Sequence, residues 1–181
     1  MKIVPRKLAG TFEIVCERRA DARGYFMRTY DRDAFAAAGL PTQWVQCNES
    51  GSRRNVVRGL HFQRPPHAET KLVRAVSGAV YDAFVDLRRG SPTYGQWDAL
   101  ELSSERGNAV LLPKGFAHGF CALSETAVVA YMVDAVYAPQ AEGGLAWDDP
   151  ALAIPWPVSG AAIVSERDRR WPALADLEPI A

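Results

Sequence analysis

At 181 residues, the chain has the length of one domain with a sizeable core. Its 48% hydrophobic and 23% charged residues are those of an ordinary soluble globular protein. Lys and Arg number 21 and Asp and Glu also 21, which excludes a bulk electrostatic pull toward nucleic acid or an anionic membrane.

No apolar run approaches the roughly 18 residues of a transmembrane helix, and the opening MKIVPR lacks the apolar stretch of a secretory signal. A cytoplasmic protein with no membrane or nucleic-acid partner is expected. Strand signals dominate. Residues 11–16 (TFEIVC) alternate apolar and polar, the period of a half-buried strand. Residues 31–39 are the best helix candidate, with Asp31 placed to cap it and Gly39 to stop it. The basic run at 53–58 (RRNVVR) reads as a solvated face. Residues 76–87 form a long β-rich run interrupted at Gly78, and strands continue at 110–112, 116–123 and 127–133. Turn chemistry separates these runs at 89–92, 105–108, 113–115 and 141–144. A tail with several prolines and tryptophans begins near Pro150 and is expected to wrap the rest irregularly, with a short helical piece from Ser165. The cysteines, Cys16, Cys47 and Cys121, are odd in number and form no C-x-x-C pair, so reduced, buried thiols are expected. No repeat or linker divides the chain. Short strands at roughly 8–12-residue spacing predict an all-β sandwich or barrel, as a single domain over residues 1–181.

The most informative stretch is GNAVLLPKGFAHGF, residues 107–120, which fits G-x5-P-x-G-x2-H through Gly107, Pro113, Gly115 and His118. It resembles the second sequence motif of the cupin superfamily, a small jelly-roll β-barrel. About fifty residues earlier, NVVRGLHFQRPPHAETKLVRAVSGAVYD occupies the place of the first cupin motif. Metal-binding cupins carry H-x-H there; this chain reads His61-Phe62-Gln63. A metal needs at least three converging ligands, and only His61 and His118, with Glu69 as a possible third, hold such positions. The sequence therefore predicts a barrel without a metal cage, suited to acid–base chemistry. Strand alternation puts Leu60 and Phe62 on one face and His61 on the other.

The resemblance narrows further. RGLHFQ at 58–63, KLVR at 71–74, DLRRGSP at 86–92, PKGFAHGF at 113–120, Tyr131, Tyr137-Ala138-Pro139, WDDP at 147–150, IPWP at 154–157 and SERD at 165–168 together are similar to the dTDP-4-dehydrorhamnose 3,5-epimerase family. They run in order along nearly the whole chain. The resemblance implies a cofactor-free epimerase acting on a nucleotide-linked 4-keto-6-deoxyhexose. A ketone at C4 acidifies the hydrogens at C3 and C5; removing one gives an enolate, and a proton returned to the opposite face inverts the centre. Such a step needs a base, an acid on the other face and a donor at the enolate oxygen.

By resemblance His61 is the base, Asp168 its orienting carboxylate, Lys71 the oxyanion stabiliser and Tyr131 the acid, with no metal. Arg23, Phe26, Arg28, Gln46, Asn48, Arg58, His118 and Tyr137 match substrate-binding positions, with Arg23 and Arg58 suited to a diphosphate. The residues themselves allow plainer roles. Asp168 fits a loose capping box with Ser165, Lys71 a strand-edge lysine, and Tyr131 a core aromatic. The resemblance also implies a homodimer with exchanged N-terminal strands, so that Arg23 serves a neighbour's site. Three departures from the family pattern stand out: Arg28 for a glutamate, Glu69 for a glutamine and Met132 for a lysine. Arg28 leaves a GDP- or CDP-sugar open, and a C3-only or C5-only epimerase and a non-catalytic sugar-nucleotide-binding module are the further alternatives.

Overall fold

The structure is a computed structural model covering residues Met1–Ala181. In chain order its strands are β1 (Lys2–Pro5), β2 (Phe12–Val15), β3 (Arg18–Asp21), β4 (Gly24–Met27), β5 (Gln46–Arg53), β6 (Val57–Gln63), β7 (Lys71–Ser77), β8 (Ala79–Asp86), β9 (Trp97–Ser103), β10 (Asn108–Leu112), β11 (Phe116–Ala122), β12 (Thr126–Val133) and β13 (Glu142–Gly144). The one α-helix, α1, is Arg32–Ala37. A six-stranded sheet runs β1-β2-β10-β7-β12-β5 and a five-stranded sheet runs β13-β6-β11-β8-β9. All pairings within both sheets are antiparallel. The two sheets face each other as a jelly-roll barrel of the cupin type, as the motifs predict.

Three apolar layers explain the sequence pattern. Inside the barrel, Val73, Val110 and Val129 from the larger sheet meet Phe84, Leu102 and Phe120 from the smaller one. Outside the smaller sheet, Leu60, Phe62, Val85 and Ala117 are covered by the tail through Leu145, Leu152, Ile154 and Ile180. Outside the larger sheet, Ile14, Leu72 and Leu111 are covered by Phe35 of α1. Strands buried on both faces need apolar residues at every position, which is why β8, β10 and β11 read as continuous runs rather than alternating ones. The helix follows its caps: the Asp31 carboxylate accepts from the Asp33 and Ala34 N–H groups at 3.1 Å, and Gly39 follows at φ 68°.

Two expectations need correction. Residues 141–144, expected as a turn, contain β13, whose pairing with β6 sets Gly144 opposite His61; small residues are tolerated there because the strand is short and packed from outside. Cys47 is exposed, whereas Cys16 and Cys121 are buried, because β5 alternates and Cys47 sits on its outer face. β1 pairs with β2, and β2 with this chain's own β10. Only β3 and β4 stand outside the barrel, as a two-stranded ribbon joined to neither sheet.

β5 positions the site. Its inward residues are Gln46, Asn48, Ser50 and Ser52, polar side chains too small to fill the barrel, so the interior opens at this end.

Candidate active site

The opening is a cleft of about 420 Å³ lined by Gln46 and Asn48 from β5, His61 from β6, Lys71 from β7, Tyr131 from β12 and Tyr137 beyond it. Register explains the grouping. Tyr131 pairs with Asn48 on one side and Val73 on the other, and Val133 pairs with Gln46 and Lys71, so period-two alternation turns all these side chains inward. His61 comes from the opposite sheet. Base and acid candidates thus stand on two facing walls of one cleft. The deeper end of the same space is lined by Arg58, His118 and Ser50 together with His61, Lys71 and Tyr131.

His61 Nε2 lies 2.6 Å from Asp168 Oδ1. The buried carboxylate can only accept, so Nε2 carries the hydrogen and Nδ1 is the unprotonated nitrogen of the neutral ring. Asp168 is held from three sides. Its Oδ2 accepts from the Gly59 N–H at 3.2 Å, its Oδ1 from Trp171 Nε1 at 3.2 Å, and its own N–H donates to Ser165 Oγ at 3.0 Å. The capping relation with Ser165 is therefore present on the backbone, while the Asp168 side chain turns away to the imidazole. Burial works to raise the Asp168 carboxyl; the bonds from His61, Gly59 and Trp171 overcome it and hold the pKa below the ordinary value.

Two glycines make this arrangement possible. Gly59 has φ 126° and a Cβ there would lie 2.6 Å from Gly119 Cα, so β6 and β11 approach only because both residues lack side chains. A Cβ on Gly144 would lie 2.2 Å from Trp171 Cδ2; the indole that braces Asp168 rests on that bare backbone.

Lys71 is buried. Its ammonium lies 3.2 Å from Glu69 Oε1 and donates to the His61 carbonyl at 3.4 Å, so it bridges the two sheets. His118 is buried beneath and paired with Asp82 at 2.8 Å. Burial pushes the Asp82 carboxyl up, against the pull of His118 and Lys71. Burial also raises the Tyr131 phenol, and the Glu69 charge adds to it, so Tyr131 keeps its proton. Arg58 donates to Ser52 Oγ at 3.0 Å and the Gly51 carbonyl at 2.8 Å, leaning from β6 onto the edge of β5. No three His, Cys, Asp or Glu side chains converge as metal ligands.

Sequence reasoning missed one cleft residue. Glu142 on β13 accepts from the Tyr137 hydroxyl at 2.5 Å and pairs with Arg167, tying the loop after β12 to the C-terminal segment over His61. Burial works to raise the Glu142 carboxyl, but these two bonds lower it overall. Nothing in a Gly-flanked glutamate signals that role; Arg167 lay inside the SERD motif and was legible there. Conversely, Arg23, Phe26 and Arg28 do not reach this cleft. They sit on or beside the β3–β4 ribbon, where Phe26 is 63% exposed, Arg23 pairs with Asp21 and Arg28 pairs with Asp31. The ribbon bonds to neither sheet, and these three side chains do not line the cleft.

The family model described as dTDP-4-dehydrorhamnose 3,5-epimerase matches residues 5–176. A dTDP-4-dehydrorhamnose 3,5-epimerase of Methanothermobacter thermautotrophicus is 43% identical over 177 residues, 97% of this chain and 95% of that protein. The chain belongs to the dTDP-4-dehydrorhamnose 3,5-epimerase family. A dTDP-4-dehydrorhamnose 3-epimerase of Streptomyces niveus is 45% identical over 170 residues, covering 93% of this chain and 82% of that one. Among solved structures, the dTDP-6-deoxy-D-glucose-3,5-epimerase of Legionella pneumophila in complex with dTDP-4-keto-L-rhamnose superposes with a TM-score of 0.93 at 35% identity, over 98% of this chain and 94% of that one. Like other members of the epimerase family, then, this chain carries its cleft on a cupin barrel, and no helix in it is long and apolar enough to cross a membrane.

Proposed function

We propose that this chain epimerises a dTDP-linked 4-keto-6-deoxyhexose at C3 and C5 through His61, Asp168, Lys71 and Tyr131. The observation that carries this reading is the placement of His61 and Tyr131 on facing sheets across one cleft, with Lys71 between them. His61 Nδ1 takes the proton from carbon while the C–H electron pair moves into the C4 carbonyl. The Lys71 ammonium meets the charge that develops on that oxygen. Tyr131, protonated because it is buried and faces an anion, returns a proton from the other wall, and the centre inverts. Asp168 fixes the imidazole tautomer and stabilises the imidazolium.

Gln46, Asn48, His118 and Tyr137 contact the sugar nucleotide along the cleft, and Arg58 meets its diphosphate. The exposed β3–β4 ribbon supports a homodimer in which Arg23, Phe26 and Arg28 of one protomer extend over the cleft of its partner. The three free thiols fit a reducing cytoplasm.

Incubating the protein with dTDP-4-keto-6-deoxy-D-glucose in D2O and following the sugar by NMR tests this. Deuterium at both C3 and C5, with an L-configured product, is expected. Inversion and deuterium at C3 alone would replace this reading with that of a mono-epimerase, the activity named for the Streptomyces niveus relative.

A further inference from the structure

Glu69 is a carboxylate inside the cleft that the mechanism above does not use. It sits just ahead of β7 and lines the same wall as Tyr131. Both its oxygens are engaged. Oε1 lies 3.2 Å from the Lys71 ammonium and Oε2 accepts from Gln63 Nε2 at 3.1 Å. Gln63 is itself pinned. Its amide also donates to the His67 carbonyl at 3.0 Å, and its oxygen accepts from the Ala138 N–H at 2.6 Å. The carboxylate is therefore rigidly aimed. The Glu69 and Lys71 side chains are only 12% and 10% exposed, so water screens the pair weakly.

We propose that Glu69 is a positioning residue for the proton-return step: its carboxylate seats the Lys71 ammonium in the cleft and places a fixed negative charge facing Tyr131. This rests on the roles assigned above to Lys71 and Tyr131. The charged and titratable groups facing Tyr131 are Glu69 and Lys71, Arg58 and His61 on β6, His118 on β11, Glu49 on β5 and Glu142 on β13. Most have other partners. Arg58 keeps its charge and acts on Tyr131 in the opposite sense, less strongly than Glu69; His61 is paired with Asp168, His118 with Asp82 and Glu142 with Tyr137 and Arg167; Glu49 is exposed. Among the charges, Glu69 acts on Tyr131 most strongly, and it opposes loss of the phenolic proton. A neutral amide at this position would keep the bond to Gln63 and lose both the ion pair and the field.

Tyr131 acts as an acid only while protonated, so activity falls as pH rises through its titration. Removing the Glu69 charge moves that fall to lower pH.

The test compares wild type with Glu69→Gln, reading kcat for inversion from about pH 7 to about pH 10.5. Relative to its own value near neutrality, the variant's rate at the alkaline end is expected to drop about threefold or more below that of wild type. Glu69→Asp, which keeps the charge, is expected to restore much of the limb. Titration of the Tyr131 ring carbon by NMR, assigned with Tyr131→Phe, reads the same shift without substrate. An unmoved alkaline limb and ring titration in Glu69→Gln would overturn the inference, whether kcat fell uniformly or KM alone rose. Retained inversion in Tyr131→Phe would instead sink the acid assignment on which it rests.

Discussion

Replacing Asp168 with Asn removes one charge and almost no volume. The amide oxygen can still accept from the Gly59 N–H or Trp171 Nε1, the two bonds that hold this side chain besides His61, so the barrel should fold. What disappears is the 2.6 Å bond between carboxylate and imidazole. Once His61 has taken a proton from carbon, that bond joins a cation to an anion at a carboxylate only 6% exposed. Hydrogen bonds to charged groups contribute about 1.5–3 kcal/mol. At about 1.36 kcal/mol per factor of ten, losing one costs roughly 10- to 150-fold in rate. A second effect acts in the same direction. An amide can offer its NH2 to Nε2, which moves the ring hydrogen to Nδ1 and removes the basic nitrogen from the cleft. We therefore expect kcat to fall at least about a hundredfold, with KM changed far less. Deuterium incorporation at C3 and C5 in D2O measures this, because it reports proton abstraction whether or not the centre inverts. If Asp168→Asn kept kcat within about threefold of wild type, the imidazole–carboxylate account would be refuted.

Two further outcomes follow from geometry away from the reacting atoms. Gly144→Ala drives a methyl into Trp171, whose ring atoms lie 2.2–2.4 Å from that position; we expect a loss of about 1–3 kcal/mol in urea unfolding, with a fall in kcat as Asp168 loses its brace, and unchanged stability would show that the tail is loosely seated. Asp86 is fully buried and accepts from Arg88 at 2.6 and 2.9 Å, Ser91 Oγ at 2.7 Å and Thr93 Oγ1 at 2.7 Å. Burial works to raise its carboxyl, but these bonds hold it at about 2. A depressed carboxyl contributes stability that is fully present above its unfolded pKa of about 3.9 and is lost as pH falls through the folded value. The contribution is roughly 2–3 kcal/mol, so Asp86→Asn should destabilise by that order at neutral pH and flatten the decline between about pH 4 and pH 2. An identical acid profile in the variant would contradict this.

Much of the fold was legible because the cupin motifs rest on backbone needs. Gly78 breaks the long run at 76–87 with a positive φ of 68°, and the β8, β10 and β11 runs are apolar because both their faces are covered. β5 was not legible as a strand. Its inward positions are polar, since they line an open cleft instead of a core, and a strand without apolar alternation carries no periodic signal. β13 was hidden for a different reason: three residues, two of them glycine, look like a turn unless the neighbouring His61 and Trp171 are known. That His61, Lys71 and Asp168 come together was legible because each lies within a distinctive motif, whereas Tyr131 stood alone between motifs. Glu142 was not legible, because its role comes from a loop and a tail that meet only in three dimensions. Arg23, Phe26 and Arg28 match the family pattern by residue type, but the ribbon that carries them bonds to neither sheet of this chain, which residue type alone does not reveal.

The most direct measurement is a pair of variants, His61→Asn and Tyr131→Phe, given the 4-keto sugar nucleotide in D2O. His61→Asn should leave C3 and C5 free of deuterium. Tyr131→Phe should let deuterium enter while the sugar keeps its original configuration, because abstraction from one wall survives and delivery from the other does not. Exchange at both carbons in His61→Asn, or inverted product from Tyr131→Phe at the wild-type rate, would contradict a mechanism run from two facing walls.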